Sequence, residues 1–267
     1  MDYTIGILTW NSHALIGPLL DSIAAHRGTR PGETIVVDNG STDGTVGLIE
    51  GRYPWVRLVK NPANRGVAPA RNQILRMAQG RYVLILDVDT LVLPGAVDTL
   101  IEVMDQHPEA AIGGPKLLYR DRRLQLSCRP FPSPLNILIE GTFLRDYFPN
   151  SRLVKDYTME EWDHASLRPV DWMYGACLII RRDALARIGL FDEGYFYLYE
   201  DMDLCLAAWR QGFSVLYIPQ AEIIHFLERE RRSVLSRTLL IHLRSILRFL
   251  AKYYLGGRLR RPLGRQT

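Results

Sequence analysis

The sequence has few cysteines and no long apolar run. Its three cysteines, Cys128, Cys177 and Cys205, are scattered, odd in number and without a Cys-x-x-Cys pair, which indicates a reducing compartment rather than a disulfide scaffold. Cys177 and Cys205 lie in apolar patterns, so we expect both in the core. No apolar stretch is long enough to span a bilayer, and the first residues, MDYTIGILTWN, lack the basic segment of a signal peptide. We therefore expect neither a leader nor a membrane span.

Acidic residues are missing from the C-terminal part of the sequence. None occurs after Glu230, whereas residues 231–267 contain ten Arg or Lys. The first 230 residues hold the other 23 basic residues and all 29 acidic ones, so they carry a net charge of −6. An acidic body with a basic tail predicts that the tail meets an anionic surface, either phospholipid or nucleic acid.

What the sequence does contain is an alternation of strand and helix patterns, in a chain of 267 residues that is 47% hydrophobic. The segments YTIGIL, ETIVVD, VRLV and YVLIL read as strands. Helical patterns follow them over residues 13–26, 45–52, 67–79 and 94–107. This alternation predicts an α/β fold with a mainly parallel sheet flanked by helices. The least regular region, residues 120–172, is interpreted as a lid or an insertion.

Polar residues gather where three of these strands end. The first strand runs into Thr9, Trp10 and Asn11, the second into DNGSTDG, and the fourth into Asp87 and Asp89. Each stretch alone has a simpler explanation, because Asn-Gly and Asp-Gly form turns and Ser or Asp can cap a helix. Ligands of open parallel sheets bind at the carboxyl ends of the strands, so the three together favour a binding site.

Asp87 and Asp89 flank a single residue at the end of the fourth strand. Two carboxylates in this arrangement can share Mg²⁺ or Mn²⁺, with water and substrate phosphates completing the shell. A solvated turn before the next helix is the alternative. The stretch ILDVDTL also resembles the first motif of haloacid-dehalogenase-type phosphatases, but Thr90 stands one place early and the motif lies on a fourth strand.

A second resemblance covers most of the chain. Six blocks occur in order: ILTWN, IVVDNGSTDGT, NRGVAPARN, RYVLILDVDT, GACLIIRRDALARIGLFDE and FYLYEDMDLCLAAWRQGF. As a set they resemble the family 2 inverting glycosyltransferases of the GT-A fold, especially the bacterial rhamnosyltransferase-like branch. The resemblance implies a GT-A-type, Rossmann-like domain over residues 1–230. Its donor half would span about 1–115 and its acceptor half about 116–230, and a basic amphipathic helix and tail would follow at 231–267.

The implied activity is metal-dependent, inverting transfer of a sugar from a nucleoside-diphosphate donor to a glycan or a polyprenyl-linked glycan. L-Rhamnose from dTDP-rhamnose is the favoured donor sugar, and a UDP-hexose is the first alternative. The other two alternatives are a metal-dependent phosphatase and a non-catalytic nucleotide-sugar-binding module.

The resemblance also implies which residues bind the donor. Trp10 would stack on the base, or else be a core aromatic. A glycine-containing turn that enters a helix beside arginines suits a diphosphate. The implied donor-binding residues are Thr9, Trp10, Asn11, Asp38, Asn39, Ser41, Arg65, Gly66, Arg71 and Asp87.

The implied cofactor is Mg²⁺ or Mn²⁺. Asp89 would be its main ligand, with Asp87 beside it. His225, which closes the stretch AEIIH, would be a third ligand or a structural histidine. A divalent ion would neutralise charge that develops on the diphosphate as the sugar leaves.

Glu200 and Asp201 supply the implied catalytic pair. Asp201 would take the proton of the acceptor hydroxyl and Glu200 would position it, whereas the simpler explanation is a pair of acids favoured by the dipole of a helix that they open. Asp203 is expected to be structural. Gly175 and Ala176 would leave room for a sugar on the acceptor side, and Trp172 would stack on it or lie in the core.

The C-terminal segment has the pattern of an amphipathic basic helix. Arg237, Arg244, Arg248 and Lys252 fall on one helical face, and apolar residues such as Leu239, Leu243 and Leu247 fall on the others. Such a helix can lie on an anionic membrane surface, or it can pack on its own domain or on the partner subunit of a homodimer. We expect a cytoplasmic protein, peripheral on the inner face of the membrane. No nucleic acid is expected as a partner, because no nucleic-acid-binding motif accompanies the tail.

Overall fold

The computed structural model describes residues 1–140, 151–226 and 237–255. Its strands are β1 (Tyr3–Thr9), β2 (Gly32–Asp38), β3 (Arg57–Lys60), β4 (Tyr82–Asp87), β5 (Thr90–Val92), β6 (Ala110–Leu118), β7 (Leu124–Gln125), β8 (Cys128–Arg129), β9 (Arg168–Pro169), β10 (Trp172–Met173), β11 (Cys177–Arg181) and β12 (Ser214–His225). Its helices are α1 (His13–His26), α2 (Thr45–Arg52), α3 (Val67–Met77), α4 (Ala96–Gln106), α5 (Pro134–Glu140), α6 (Arg152–Thr158), α7 (Leu185–Ile188), α8 (Glu200–Arg210) and α9 (Arg237–Leu250).

One large sheet organises the described residues, with the strand order β3-β2-β1-β4-β11-β6-β12-β5. The pairs β3–β2, β2–β1, β1–β4 and β6–β12 are parallel. β11 runs antiparallel to both β4 and β6, and β5 runs antiparallel to β12. Because β1, β2 and β4 are parallel neighbours, the polar residues that follow them meet at one edge of the sheet. The predicted α/β fold with a mostly parallel sheet is confirmed.

Two of the four helices predicted with bounds have the expected ends, and the other two differ for local reasons. α1 and α2 begin and end where the sequence predicts. α3 ends at Met77 rather than at residue 79, because Ala78 turns extended and Gly80 then packs directly on the β1 backbone. α4 begins at Ala96 rather than at Pro94, because Gly95 adopts a left-handed φ of 76° immediately before it.

Apolar cores cover both faces of the sheet. Along β4, Val83 and Ile85 face one core, whereas Tyr82, Leu84 and Leu86 face the other. Successive side chains of a strand point to opposite faces, so a strand buried on both sides reads as a continuous apolar run. Each fully buried Leu or Ile stabilises the fold by roughly 1.5–3 kcal/mol. Cys177 and Cys205 are confirmed as core residues, one in each core.

In the described part of the region that the sequence marks as irregular, the elements are short, namely β7, β8, α5, α6 and β9. Residues 141–150 lie outside the described residues. The interpretation of this region as a lid therefore stays a prediction.

The predicted C-terminal helix is present as α9, and its inner face packs on the domain. Phe249, and Tyr253 in the π-helical turn Ala251–Leu255 that follows α9, are buried in the core that also contains Cys205. Arg248 and Lys252 both form ion pairs with Asp192 of the domain, at 2.6 and 2.8 Å. This face of the helix therefore packs on its own domain, which is one of the two alternatives to membrane binding. The other tail residues, 231–236 and 256–267, lie outside the described residues, as do the side chains of residues 237–239.

A different side of α9 is open. Leu240, Leu243 and Leu247 are 70%, 40% and 65% exposed, and Arg244 is exposed beside them. None of the helices in the described ranges combines the length and the apolar content that crossing a bilayer requires.

Candidate active site

Two polar atoms at the ends of β1 and β2 are buried without a partner. Thr9 and Asp38 are register neighbours in the parallel pair. Asp38 Oδ2 accepts hydrogen bonds from the backbone N–H groups of Gly40 and Ser41, at 3.1 and 2.9 Å. Asp38 Oδ1 and Thr9 Oγ1 have no hydrogen-bond partner in the part of the chain that the structure describes. Buried polar groups are nearly always paired, so these two atoms fit a polar ligand at this edge.

The loop after β1 is tied to the loop after β2. The N–H of Asn11 donates to Ser41 Oγ at 2.8 Å, and the N–H of Thr42 donates to Asn11 Oδ1 at 2.8 Å. Asn11 takes a left-handed φ of 47°, which asparagine tolerates better than most residues. Trp10 is 52% exposed, so its interpretation as a core aromatic is wrong. An exposed indole held between two fixed loops is available for stacking.

Asn39 organises the loop that precedes α3. Its buried amide donates to Asn64 Oδ1 and to the Gly66 carbonyl, at 3.0 and 3.1 Å, and it accepts from the N–H of Arg65 at 3.2 Å. Because these bonds occupy the amide, the expected direct contact of Asn39 with the donor is replaced by a role in shaping this loop. The Arg65 side chain itself is exposed.

Gly66 occupies a position that has no room for a side chain. It has a φ of 92°, and a Cβ there would lie 2.9 Å from the Phe196 carbonyl oxygen. The N–H of Val67 donates to the same carbonyl at 2.8 Å. The glycine turn is therefore docked on the segment that leads into α8. Phe196 and Tyr197 are exposed aromatic residues of that segment, and sequence reasoning missed them.

The predicted metal ligands come together. Asp87, Asp89 and His225 each offer one ligand atom, and these atoms all lie within 4.8 Å of one another. The pairing of β5 with β12 achieves this, because it sets His225 opposite Thr90, immediately after Asp89. Nε2 of His225 lies 3.4 Å from Asp89 Oδ2. Two carboxylates and an imidazole are ligands that suit Mn²⁺ or Mg²⁺.

A buried glutamine that no sequence pattern singled out contacts this group. Oε1 of Gln125 lies 2.6 Å from His225 Nδ1, across 100 positions of sequence. Gln125 belongs to the two-residue strand β7, in the stretch whose pattern is least regular.

Glu200 and Asp201 open α8, as predicted. Leu198 and Tyr199, the two residues before them, both have positive φ, at 67° and 74°. Such conformations cost of order 1–3 kcal/mol each for residues other than glycine, and they cluster at functional sites. Asp201 accepts hydrogen bonds from the N–H groups of Gly175 and Met202, at 2.8 and 2.7 Å.

Arg71 connects the two acidic groups. It is 3% exposed, and its Nη2 donates to Asp87 Oδ1 at 2.6 Å and to the Gly175 carbonyl at 3.0 Å. Its Nη1 donates to Glu200 Oε1 at 3.1 Å. The expectation that Arg71 binds the diphosphate is therefore corrected, because its guanidinium is buried and bonded within the protein. It positions Asp87 and Glu200 relative to each other.

Burial raises the proton affinity of Glu200 and Asp201. Burial and the neighbouring Asp201 carboxylate raise the pKa of Glu200, and this outweighs the lowering by Arg71. Burial likewise raises the pKa of Asp201, against the lowering effects of Arg71 and of the Gly175 N–H group. Oε2 of Glu200 is buried and finds no hydrogen-bond partner among the described residues. Carboxyl groups with raised pKa values in a cleft are typical of acid–base chemistry.

The residues expected on the acceptor side have other roles. A Cβ on Gly175 would lie 2.7 Å from Arg71 Nη1 and 3.2 Å from Asp201 Cβ, so the glycine admits Arg71 rather than a sugar. Ala176 is buried, and its carbonyl accepts from the N–H of Asp87 at 2.9 Å. Trp172 is a core residue whose indole N–H donates to the Pro130 carbonyl at 3.0 Å. The stacking alternative for Trp172 is therefore wrong.

Comparisons with known proteins agree with this geometry. The model of glycosyl transferase family 2 matches residues 4–158, and that of glycosyl transferase family group 2 matches residues 82–261. The N-acetylglucosaminyl-diphospho-decaprenol L-rhamnosyltransferase of Mycobacterium tuberculosis is 33% identical over 241 residues, which cover 85% of this chain and 77% of that protein. The rhamnosyltransferase WbbL of Escherichia coli K12 is 28% identical over 184 residues, 66% of this chain and 64% of WbbL.

A solved structure shows the same fold. The crystal structure of GalNAc-T7 with UDP, GalNAc and Mn²⁺ superposes with a TM-score of 0.66 over 92% of this chain and 48% of that one, at 14% sequence identity. The matched family model spans more than half of the chain, and the mycobacterial relative matches most of it. This chain therefore belongs to glycosyl transferase family 2 and is a glycosyltransferase of the GT-A fold.

Proposed function

We propose that this glycosyltransferase moves L-rhamnose from dTDP-rhamnose to a polyprenyl-linked glycan, with inversion at the anomeric carbon. The names of the two rhamnosyltransferase relatives support the sugar, and that of the mycobacterial relative supports a lipid-diphosphate acceptor. The observation that carries the proposal is the bridge made by Arg71 between the Asp87 end of β4 and the Glu200 end of α8. This bridge brings a cation-binding edge and a proton-accepting pair to the same cleft.

The donor occupies the edge formed by β1, β2 and β4. The unpaired Thr9 Oγ1 and Asp38 Oδ1 receive the base or ribose, and Trp10 stacks on the base. Arg65 is the exposed cation beside the glycine turn and replaces Arg71 as the residue for the diphosphate.

Asp87, Asp89 and His225 hold the divalent cation. Their mixed oxygen and nitrogen ligand atoms fit Mn²⁺ or Mg²⁺. The GalNAc-T7 structure contains Mn²⁺ together with UDP. When bound, such an ion supplies charge neutralisation for the diphosphate leaving group.

Asp201 is the general base. One of its carboxylate oxygens removes the proton from the acceptor hydroxyl as the acceptor oxygen attacks the sugar C1 and the C1–O bond to the diphosphate breaks. A single displacement of this kind inverts the anomeric centre and forms no covalent sugar–enzyme intermediate. The N–H groups of Gly175 and Met202 fix the orientation of the carboxylate, and burial maintains its affinity for a proton. Glu200, held by Arg71, positions this end of α8.

Donor identity and cation dependence are tested together by calorimetric titration of nucleotide sugars with and without Mn²⁺. dTDP-rhamnose should bind tightly only when Mn²⁺ is present, and Asp89→Ala should remove the dependence and the turnover. Asp183→Ala, which removes an exposed carboxylate after β11, is the control. Preference for a UDP-hexose would replace the proposed donor. Binding without transfer to any acceptor would favour a non-catalytic module, and release of phosphate from simple phosphomonoesters would favour a phosphatase.

We further propose that the open side of α9 contacts an anionic membrane surface, at the inner face of the cytoplasmic membrane. Exposed Leu240, Leu243 and Leu247 with Arg244 beside them provide the apolar and cationic contacts that such a surface takes. Polyprenyl-linked acceptors would lie at that surface.

Removing the whole helix would not test this assignment, because Phe249 is part of the core. Substituting Leu240 and Leu247 with Asp leaves the packed face intact. The double variant should no longer sediment with anionic phosphatidylglycerol vesicles. Added salt should weaken the binding of the wild-type protein to these vesicles. Leu135→Asp, at an exposed leucine of α5, is the control. If the double variant binds vesicles as well as the Leu135→Asp control does, the membrane is removed from the proposal.

A further inference from the structure

The two ring nitrogens of His225 face different neighbours. Nε2 points toward Asp89, with 3.4 Å to Oδ2. Nδ1 lies 2.6 Å from Oε1 of Gln125, which is 1% exposed. At that distance the two atoms share a hydrogen, and an amide oxygen can only accept one. The proton is therefore on Nδ1 of the histidine.

The orientation of the Gln125 amide is fixed from its other end. Nε2 of Gln125 donates to the backbone carbonyl of His225 at 3.5 Å. Turning the amide over would set its oxygen against this carbonyl and its NH₂ group against Nδ1. β7 holds the glutamine in place, because Gln125 pairs with Leu117 of β6. One side chain thus contacts both the ring and the main chain of the same histidine.

We propose that Gln125 is a positioning residue that accepts a hydrogen bond from the Nδ1–H group of His225 and so fixes the orientation of the ring. With Nδ1 held in this way, Nε2 is the ring atom that faces Asp87 and Asp89. The inference rests on the proposed cation site, and it assigns to this site a residue from a part of the chain that carries none of the six sequence blocks. Histidines that bind metals commonly donate their second N–H group to a fixed acceptor, which sets the tautomer and the ring orientation.

The first test is a calorimetric titration of the full-length protein with Mn²⁺ alone. Gln125→Leu should weaken Mn²⁺ binding by about 10–100-fold, the range typical of lost outer-shell partners. Gln125→Glu keeps an acceptor opposite Nδ1 and should retain most of the affinity. Gln106→Leu, at an exposed glutamine of α4, should bind as the wild type does. Circular dichroism establishes that each variant is folded, and if Gln125→Leu is not, Gln125→Asn provides the shortened side chain.

The second test does not depend on the metal. In metal-free protein labelled with ¹⁵N at histidine, the ring-nitrogen shifts should show that Nδ1 of His225 carries a proton. In Gln125→Leu that preference should be lost. A wild-type His225 that carries its proton on Nε2 alone would overturn the inference, and so would a Gln125→Leu variant that binds Mn²⁺ as well as the wild type. Absence of Mn²⁺ binding by a wild type in the Nδ1–H form would instead contradict the proposed cation site and leave the tautomer assignment standing.

Discussion

Two pairs of acidic residues in this molecule differ mainly in their surroundings. Asp87 and Asp89 follow a buried parallel strand and are partly exposed. Glu200 and Asp201 begin a helix, and burial raises the pKa of both carboxyl groups. We propose that the first pair holds a cation and that the second takes up a proton. Residue type alone does not distinguish these roles, because the environment of each pair decides between them.

The comparison depends on Arg71, which contacts one member of each pair. Its guanidinium is the only group that the structure shows bonded to both Asp87 and Glu200 within the described ranges. Asp89 and Asp201, the members without this contact, remain available for the cation and the proton. The following predictions test this division of roles.

The largest effect is expected from Asp201→Asn. Asparagine has nearly the same shape but cannot accept the proton, so turnover should fall by about 10²–10⁴-fold while donor and Mn²⁺ affinities persist. Glu200→Gln is the matched control and should lose less, because Glu200 positions the helix end. Product formation and calorimetry measure the two quantities. Near wild-type transfer by Asp201→Asn would place the base elsewhere, and an inactive Glu200→Gln with an active Asp201→Asn would reverse the two roles.

Loss of Arg71 should destabilise the fold strongly. Removing one partner of a buried ion pair typically costs about 3–5 kcal/mol, because the other charges stay buried and uncompensated. Arg71→Ala should lower the free energy of unfolding by this amount in urea titrations. Arg76→Ala, on the same helix, breaks an exposed pair with Glu193 and should cost no more than about 1 kcal/mol. Similar losses in the two variants would show that Arg71 is not the structural link.

How much of this could be read from the sequence depends on the distance over which each feature is determined. β1, β2 and β4 and the polar residues at their ends follow from local apolar patterns. The family resemblance implied that Asp87 and Asp89 lie near His225, with a structural histidine as the alternative, and the structure brings the three together. The inward position of Arg71 did not follow, since its contact with Glu200 spans 129 positions of sequence. β11 could not be placed either, because nothing local shows that it enters the sheet antiparallel between β4 and β6.

The acceptor side illustrates the same limit. Gly175 reads from the sequence as space for a sugar, and only the fold shows that Arg71 fills this space. Gln125 carries no charge and lies outside every recognisable pattern, so its contact with His225 becomes visible only when β7 and β12 are in place.

A smaller effect is expected from Gly175→Ala. The added Cβ would lie 2.7 Å from Arg71 Nη1, and relieving such overpacking typically costs about 1–3 kcal/mol. The displaced Arg71 should also lower turnover. Gly47→Ala is the control, because nothing lies within 4 Å of a Cβ there and alanine favours the α2 helix by up to about 1 kcal/mol. Thermal denaturation measures the stability of both variants. A Gly175→Ala variant that is as stable as the wild type would contradict the tight Arg71–Gly175 contact.

The smallest effect is a displacement of the pH profile. The base must be deprotonated to act, so turnover falls as the pH drops through the pKa of the buried pair. Because burial raises both pKa values, the midpoint of this acidic fall should lie above about 4, the ordinary value for a carboxyl group. Turnover at saturating donor measured across pH 4–9 provides the profile. A midpoint at or below about 4 would mean that the base is an unperturbed, exposed carboxylate.

We propose that Asp201 and the groups that bind the donor diphosphate act together in a single displacement. The anomeric configuration of the first product tests this most directly. Proton NMR of the transferred sugar, recorded before any rearrangement and compared with the donor, reports that configuration. We expect the product to have the configuration opposite to that of the donor. Retention of the donor configuration would require a second displacement and would contradict the assignment of Asp201 as a base acting in one step.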